Sequence, residues 1–290
     1  MKSILNISDG KTEVNSLIIQ PTYICRRTCR GCYSKSRPSK NSMHLDTYYR
    51  LLDTFSFQEN KCLANEISIS LNCLDLYYPS DRLATHYLDI LPYLSRGSKI
   101  QVVVHSLKEL AIYPNYSNIL EIQSLCLSNI EMSDIEALKK IRDHGVRITW
   151  NYIPDNRPME NILSIAQHID AIYLLLRKLP LWSCYSEIEA QAISWLEIDI
   201  DVIKDLKRKL GSKAIIDTCI QDALCYQIDG TGCSASISKF HIWADGTVTG
   251  CPYISDSITP PTNTVEGIIQ NIHLAAERYD WYWCYIKDFY

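Results

Sequence analysis

The sequence predicts an α/β fold: a mostly parallel sheet of six strand-helix units, curved toward a partial barrel and followed by a small C-terminal unit of one β-hairpin and one helix. Strand-like and helix-like periodicities alternate six times between residues 16 and 177, an order that parallel strands joined by right-handed helical crossovers satisfy. After Gly211 the alternation stops, and Asp245-Gly246 sits between two alternating runs, the signal of a hairpin. A chain of 290 residues can bury roughly three quarters of the surface its unfolded form exposes, so it needs no disulfide or zinc clip to build a core.

Residues 16–22 (SLIIQPT) read as a short buried strand running into a cysteine-rich loop, and 44–57 as the helix that follows. Residues 66–71 (EISISL) alternate β-branched and polar side chains as a second strand, with a helix at 81–95 and a third strand at 99–105 (KIQVVVH). A fourth strand is expected at 119–127. An amphipathic helix at 133–144 follows, with Ser133-x-x-Glu136 as its capping box and His144-Gly145 as its end. Strands at 146–153 and 171–177 flank a helix at 159–168 that Pro158 introduces. A charged helical stretch at 187–209 leads away from the sheet. A strand at 213–219, the hairpin at 240–253 and a helix at 264–282 complete the chain. The division expected is 1–185 for the barrel, 186–212 for a connecting helix and 213–290 for the appended unit.

Composition narrows the function classes. Hydrophobic residues make up 47% and charged residues 21%, ordinary globular values, and no apolar run approaches the about 20 residues of a membrane span. The first 16 residues mix Lys2, Asp9, Lys11 and Glu13 with isolated apolar residues and lack the core of a secretory signal, so a cytoplasmic protein without membrane contact is expected. A net charge of −4 argues against a general nucleic-acid binder. Twelve cysteines in a chain without an export signal favour metal binding over disulfides.

Three of those cysteines are spaced Cys25-x3-Cys29-x2-Cys32. Three thiolates are one short of a closed four-ligand site. A 4Fe-4S cluster on three cysteines keeps one iron open, whereas structural zinc takes four protein ligands. The loop follows the first strand, where α/β barrels carry their reactive groups. Arg26, Arg27, Arg30, Lys35, Arg37 and Lys40 crowd it with no acidic residue between them, which suits a solvated loop or a docking surface for an acidic electron donor or substrate. A second constellation lies downstream. Gly246 turns the hairpin and returns Cys251 beside Cys233, Cys225 lies upstream and Cys284 follows the last helix, so four thiolates are available, with Cys219 competing with Cys225. Four thiolates suit zinc as well as iron-sulfur. Cys62, Cys73, Cys126 and Cys184 have no spacing partner and read as buried small hydrophobes; His105 and His241, in apolar strands, read as core. The aromatic run at 279–290 reads as packing around the second site.

The cysteine loop, with Tyr33 beside Cys32, resembles the signature of the radical S-adenosylmethionine (radical SAM) enzymes, in the Cys-Tyr form of their peptide-modifying branch. The strand-helix order extends the resemblance over residues 16–185. It implies a partial (β/α)6 radical SAM barrel, a 4Fe-4S cluster on Cys25, Cys29 and Cys32, and SAM chelated at the open iron. It also implies an electron from reduced flavodoxin or ferredoxin, and a 5'-deoxyadenosyl radical that takes hydrogen from the substrate. Around SAM the resemblance places Tyr33, the backbone of Asn72 and Cys73, Ser128 and Asn129 after the fourth strand, and Asn151 on the fifth. Strand-end capping is the other reading of these polar residues. Two positions depart from the family pattern: Gly31 stands where an aromatic residue often packs near adenine, and Ser70-Leu71-Asn72-Cys73-Leu74-Asp75 replaces the usual Gly-Gly-Glu segment, with Asp75 as the available carboxylate.

Cys233-x12-Gly246-x4-Cys251 resembles the opening of the auxiliary-cluster appendage called SPASM, or its short form, twitch. That implies one auxiliary 4Fe-4S cluster on Cys225, Cys233, Cys251 and Cys284. Such appendages are common in enzymes that mature ribosomally made peptides, so a precursor peptide is the substrate implied. With about 15 residues before the first strand, a separate leader-peptide recognition protein is expected. The compact size is similar to that of the peptide spliceases, which excise tyramine to leave a β-amino acid. A twitch-type enzyme acting on a sugar or nucleotide, and a non-catalytic metal-binding or electron-transfer protein, are the alternatives. No residue is identified as the proton-transfer catalyst.

Overall fold

Period-two burial along Ser16–Ile19 of Val14–Ile19 (β1) sets the pattern of the sheet: Leu17 and Ile19 are fully buried while Ser16 and Ile18, which alternate with them, are half-buried. The computed structural model describes residues 5–6, 11–12, 14–23, 42–56, 64–71, 99–111, 120, 123–155, 157–175, 197–217, 238–251 and 259–278. Along the chain follow Ala64–Ser70 (β2), Lys99–Val104 (β3), Ser124–Leu127 (β4), Arg147–Tyr152 (β5), Ala171–Leu174 (β6), Ala214–Ile216 (β7), Lys239–Ile242 (β8) and Val248–Thr249 (β9). They form one nine-stranded sheet in the order β9-β8-β1-β2-β3-β4-β5-β6-β7. Every pairing is parallel except β8 with β9, and the sheet does not close, so the architecture is an open partial barrel. Leu5–Asn6 and Lys11–Thr12 make a separate two-stranded ribbon.

The register aligns aliphatic side chains across neighbouring strands, as in Leu17 with Ile67, Ile67 with Ile100, and Leu125 with both Val102 and Ile148. These residues belong to one continuous core that the helices cover. Helix Leu45–Ser56 (α1) buries Tyr48, Leu51, Leu52 and Phe55, an i, i+3, i+4, i+7 stripe, and carries Asp46 in its first turn. Helix Ile135–Asp143 (α2) ends at Gly145, whose φ of 85° favours glycine. Met159–Ala166 (α3) starts after Pro158 and buries Ile162, Ile165 and Ala166. Glu197–Leu210 (α4) buries Ile203 and Leu206 in the same core. Val265–Arg278 (α5) crosses back to α1, where Thr47 Oγ1 donates to Asn263 O at 2.7 Å and Arg50 pairs with Glu266 at 2.7 Å.

Four details differ from the sequence reading. The strand expected at 119–127 begins only at Ser124, because β5 starts at Arg147, the residue opposite Ser124, and offers no earlier partner. The reciprocal cap of α2 joins Glu131 and Asp134 rather than Ser133 and Glu136: a 3₁₀ turn, Met132–Asp134, extends the helix start upstream, and the Asp134 carboxylate accepts the Glu131 N–H at 2.8 Å. His105 stands one residue beyond β3 and is half-buried, not core, whereas His241 is buried. The strand expected within 213–219 is a seventh parallel strand against β6, and the hairpin does not stand apart: β8 extends the barrel sheet beside β1. The helix expected at 81–95 lies outside the described residues.

The hairpin turn is braced from α5. Asn271, buried, donates from Nδ2 to Gly246 O at 3.0 Å and to Pro260 O at 2.7 Å. Asn271→Ala leaves two carbonyls without their donor and is expected to cost about 2–3 kcal/mol in chemical denaturation; a variant as stable as wild type contradicts the brace.

Candidate functional site

Parallel strands bring the ends of β1 to β8 to one edge of the sheet, and the residues that follow them form the candidate site. After β1 come Gln20, Pro21, Thr22 and Tyr23, and the chain returns to the description at Ser42. Thr22 and Ser42 form an isolated antiparallel bridge and their hydroxyls lie 2.8 Å apart, so the two ends of the 24–41 segment meet directly above β1. That segment holds Cys25, Cys29, Cys32 and Tyr33, which lie outside the described residues, as do Asn72, Cys73, Cys225, Cys233 and Cys284. Among the described residues no three His, Cys, Asp or Glu side chains converge on a metal site.

The described site residues fall at this same edge. Ser128 and Asn129 extend the ladder beyond β4, their N–H groups donating to Val104 O at 3.1 Å and His105 O at 2.6 Å. Asn129 Oδ1 accepts a hydrogen bond from Arg157 Nη2 at 3.2 Å. Arg157 also donates to Ile130 O, pairs with Asp155 at 3.2 Å and lies over the Trp150 ring at 5.2 Å. Sequence reasoning missed Arg157; the Arg-Pro step before α3 marks a loop but carries no sign that its side chain ties the loops after β4 and β5 together. Lys108 and Glu131 link the segments after β3 and β4 at 2.9 Å, and this bond and its charge hold the Glu131 carboxyl below its ordinary range.

Asn151 faces away from the aliphatic core. Many of the residues between the core positions are polar, Ser16 on β1, Glu66 and Ser68 on β2, Gln101 on β3, Ser124 on β4, Thr149 and Asn151 on β5, while Ile18, Val103 and Cys126 are the apolar members of the same side. A closed barrel fills this side with branched aliphatics; here Ile18 and Val103 are the branched aliphatics and much of the rest is polar and hydrogen-bonded. Gln101 Oε1 accepts from Ser68 Oγ at 3.4 Å, and its Nε2 donates to Ser124 Oγ and Thr149 Oγ1, each at 3.2 Å. The amide of Gln101 thus joins four strands. Tyr173, opposite Asn151 on β6, is also half-buried on this side, where burial and then the nearby Glu66 raise its phenol pKa. A lining of hydroxyls, amides and one phenol beside Ile18, Val103 and Cys126 suits a ligand that has both hydrogen-bonding and apolar parts.

Cys126 and Cys251 are the two cysteines among the described residues, and both are buried. Burial pushes the Cys126 thiol up to about 12, so it is a neutral thiol at pH 7, in keeping with a small hydrophobe and not a ligand thiolate. Cys251 ends the segment after β9, two residues beyond Thr249, which pairs with His241.

No family model matches the sequence, and no curated protein matches it. Solved structures do. Streptococcus suis SuiB bound to precursor peptide SuiA superposes with a TM-score of 0.55 at 14% identity, covering 83% of this chain and 60% of that chain. Streptococcus suis SuiB bound to S-adenosylmethionine gives 0.53 at 14% identity with the same coverage, and methylornithine synthase (PylB) gives 0.50 at 9% identity, covering 91% of this chain and 82% of that one. The fold is the radical SAM partial barrel. In the sequence, Cys25 follows the last residue of β1 by six positions. The chain spans 60% of the length of SuiB. Among the described residues no helix is long and apolar enough to cross a membrane.

Proposed function

We propose that this chain is a radical SAM enzyme that modifies a ribosomally made precursor peptide by hydrogen abstraction. The observation that carries the reading is the coincidence of three cysteines spaced C-x3-C-x2-C with a segment rooted at the end of β1 of a radical SAM barrel. The donor set fits a 4Fe-4S cluster with one open iron, and the fold is shared with a structure that holds SAM. Cys25, Cys29 and Cys32 hold the cluster, Tyr33, Asn72, Cys73, Ser128, Asn129 and Asn151 surround SAM, and together they supply hydrogen-atom abstraction from an unactivated carbon. The polar side of the barrel orients the substrate through Gln101, Asn151 and Tyr173. The peptide reading is supported by the SuiB complex with SuiA and by the Cys-Tyr form of the loop. Tyramine excision of the splicease type is the finer form of it. A separate leader-recognition protein and reduced flavodoxin or ferredoxin are the partners, in a cytoplasmic setting.

In the same proposal residues 1–185 are the catalytic barrel, 186–212 the connecting helix and 213–290 a twitch-like unit whose strands β7 and β8 continue the barrel sheet. Its cluster is held by Cys233, Cys251, Cys284 and either Cys225 or Cys219. The burial of Cys251 suits a ligand shielded from solvent. Zinc is the competing metal, and iron and sulfide analysis decides between them. A small-molecule substrate is the second reading, favoured by the likeness to methylornithine synthase over 82% of that chain.

Anaerobic reconstitution tests the whole: SAM-dependent 5'-deoxyadenosine is expected once the cluster is assembled, and its absence with the cluster in place rejects the enzyme reading. Cys251→Ala is expected to keep SAM cleavage and lose most product formation on the precursor peptide; unimpaired product in the variant makes the second site structural only.

A further inference from the structure

We infer that Tyr23 and Asp245 form a latch through which the hairpin turn between β8 and β9 sets the geometry of SAM binding at the cysteine loop. The inference rests on the assignment of Cys25, Cys29 and Cys32 to the SAM-binding cluster. Tyr23 precedes Cys25 by two residues, and its hydroxyl donates to Asp245 Oδ1 at 3.0 Å across a sequence separation of 222. Its ring stacks on Trp243 with centroids 5.9 Å apart, and Trp243 stacks in turn on His241 at 4.0 Å and 8°. Tyr23, Trp243 and Ala244 make a small core of their own, separate from the main one. The root of the cysteine loop therefore packs against the hairpin.

The acceptor is held independently of Tyr23. Asp245 Oδ1 also takes the Thr247 N–H at 3.1 Å and the Thr247 hydroxyl at 2.7 Å, and Asp245 O accepts the Thr262 N–H at 2.9 Å. Trp243 is oriented independently, by Nε1 donating to Thr249 Oγ1 at 3.1 Å. On the other side of the loop, Ser42 is tied to Thr22. One end of the 24–41 segment is thus pinned to its own other end and to a rigid turn, whose β9 strand runs on to Cys251. A ligand site gains affinity when its supporting residues are locked by neighbours of this kind. Tyr23 and Asp245 are positioning residues in this scheme; neither contacts SAM.

Tyr23→Phe removes the hydroxyl and keeps the ring stack, and Thr247 continues to hold Asp245. With the full chain reconstituted anaerobically, the variant is expected to keep the wild-type far-UV circular dichroism. It should bind SAM about fivefold more weakly, and the SAM-induced change in the electron paramagnetic resonance signal of the reduced cluster should be altered. A folded variant that loads no iron in the loop carries the same meaning in stronger form. In an Asp245→Ala background, where the acceptor itself is gone, the further effect of Tyr23→Phe is expected to shrink. Wild-type SAM affinity and signal in Tyr23→Phe, or a loss of thermal stability alone, overturns the latch, as do effects of the two substitutions that simply add. If the wild-type chain itself takes up no iron on Cys25, Cys29 and Cys32, the proposed function fails and the latch with it.

Discussion

Replacing Cys29 by Ala is expected to reduce SAM cleavage below detection. A cluster with one open iron already uses the smallest ligand set that leaves a coordination site for SAM, and two thiolates do not hold it. The loss is read as 5'-deoxyadenosine formed per chain under reducing, anaerobic conditions, with iron content measured in parallel. The fold should survive the change, because the core that organises β1 rests on Leu17 and Ile19 against Ile67 and Ile69, and far-UV circular dichroism checks this. Turnover retained by the folded variant would contradict the assignment of the loop.

Gly246→Ala is expected to be the most damaging single change outside the cysteine loop. The residue has a φ of 76°, which an L side chain adopts at a cost, and a Cβ built there meets Thr262 O at 1.8 Å and Thr262 C at 2.8 Å. Those are backbone atoms, so the strain is not relieved by a rotamer change. The segment at Thr262 is itself tied to Asp245, and Gly246 N donates to Trp243 O at 2.9 Å to close the turn. Together these terms place the expected loss at about 3–5 kcal/mol in urea unfolding of the metal-free chain. A loss below about 1 kcal/mol would mean that the turn relaxes freely, which the bracing by Asn271 opposes.

Much of this fold is legible in the sequence because local patterns and tertiary demands agree. EISISL in β2 alternates aliphatic and small polar residues, and the aliphatic set is the one that the helices cover. Asp245-Gly246 marks its turn because the positive φ at Gly246 is a requirement of the turn itself. What is not legible depends on partners distant in the chain. Nothing near residue 239 signals that KFHI pairs in parallel with β1, so the sequence reading set the hairpin in a separate unit. Ser133-x-x-Glu136 satisfies a capping pattern, yet the box forms at Glu131 and Asp134 because the 3₁₀ turn is a tertiary outcome. In the site, cysteine spacing is a covalent property of the sequence and is read directly. Arg157, Gln101 and Tyr173 carry no such spacing, and only the barrel brings their roles into view.

The pairing of β8 with β1 also bears on how the molecule is made. During synthesis β1 emerges first and can acquire β2 as a neighbour early. Its other edge has no partner until residues 239–242 have left the ribosome. For most of translation the strand that leads into the cysteine loop is therefore an edge strand, with backbone donors and acceptors facing solvent or another chain. Contacts of such sequence separation form slowly. Under the proposed function, iron loading of the loop in its final geometry waits for β8, and truncations ending before β8 should yield a barrel with an open first edge, prone to associate through β1.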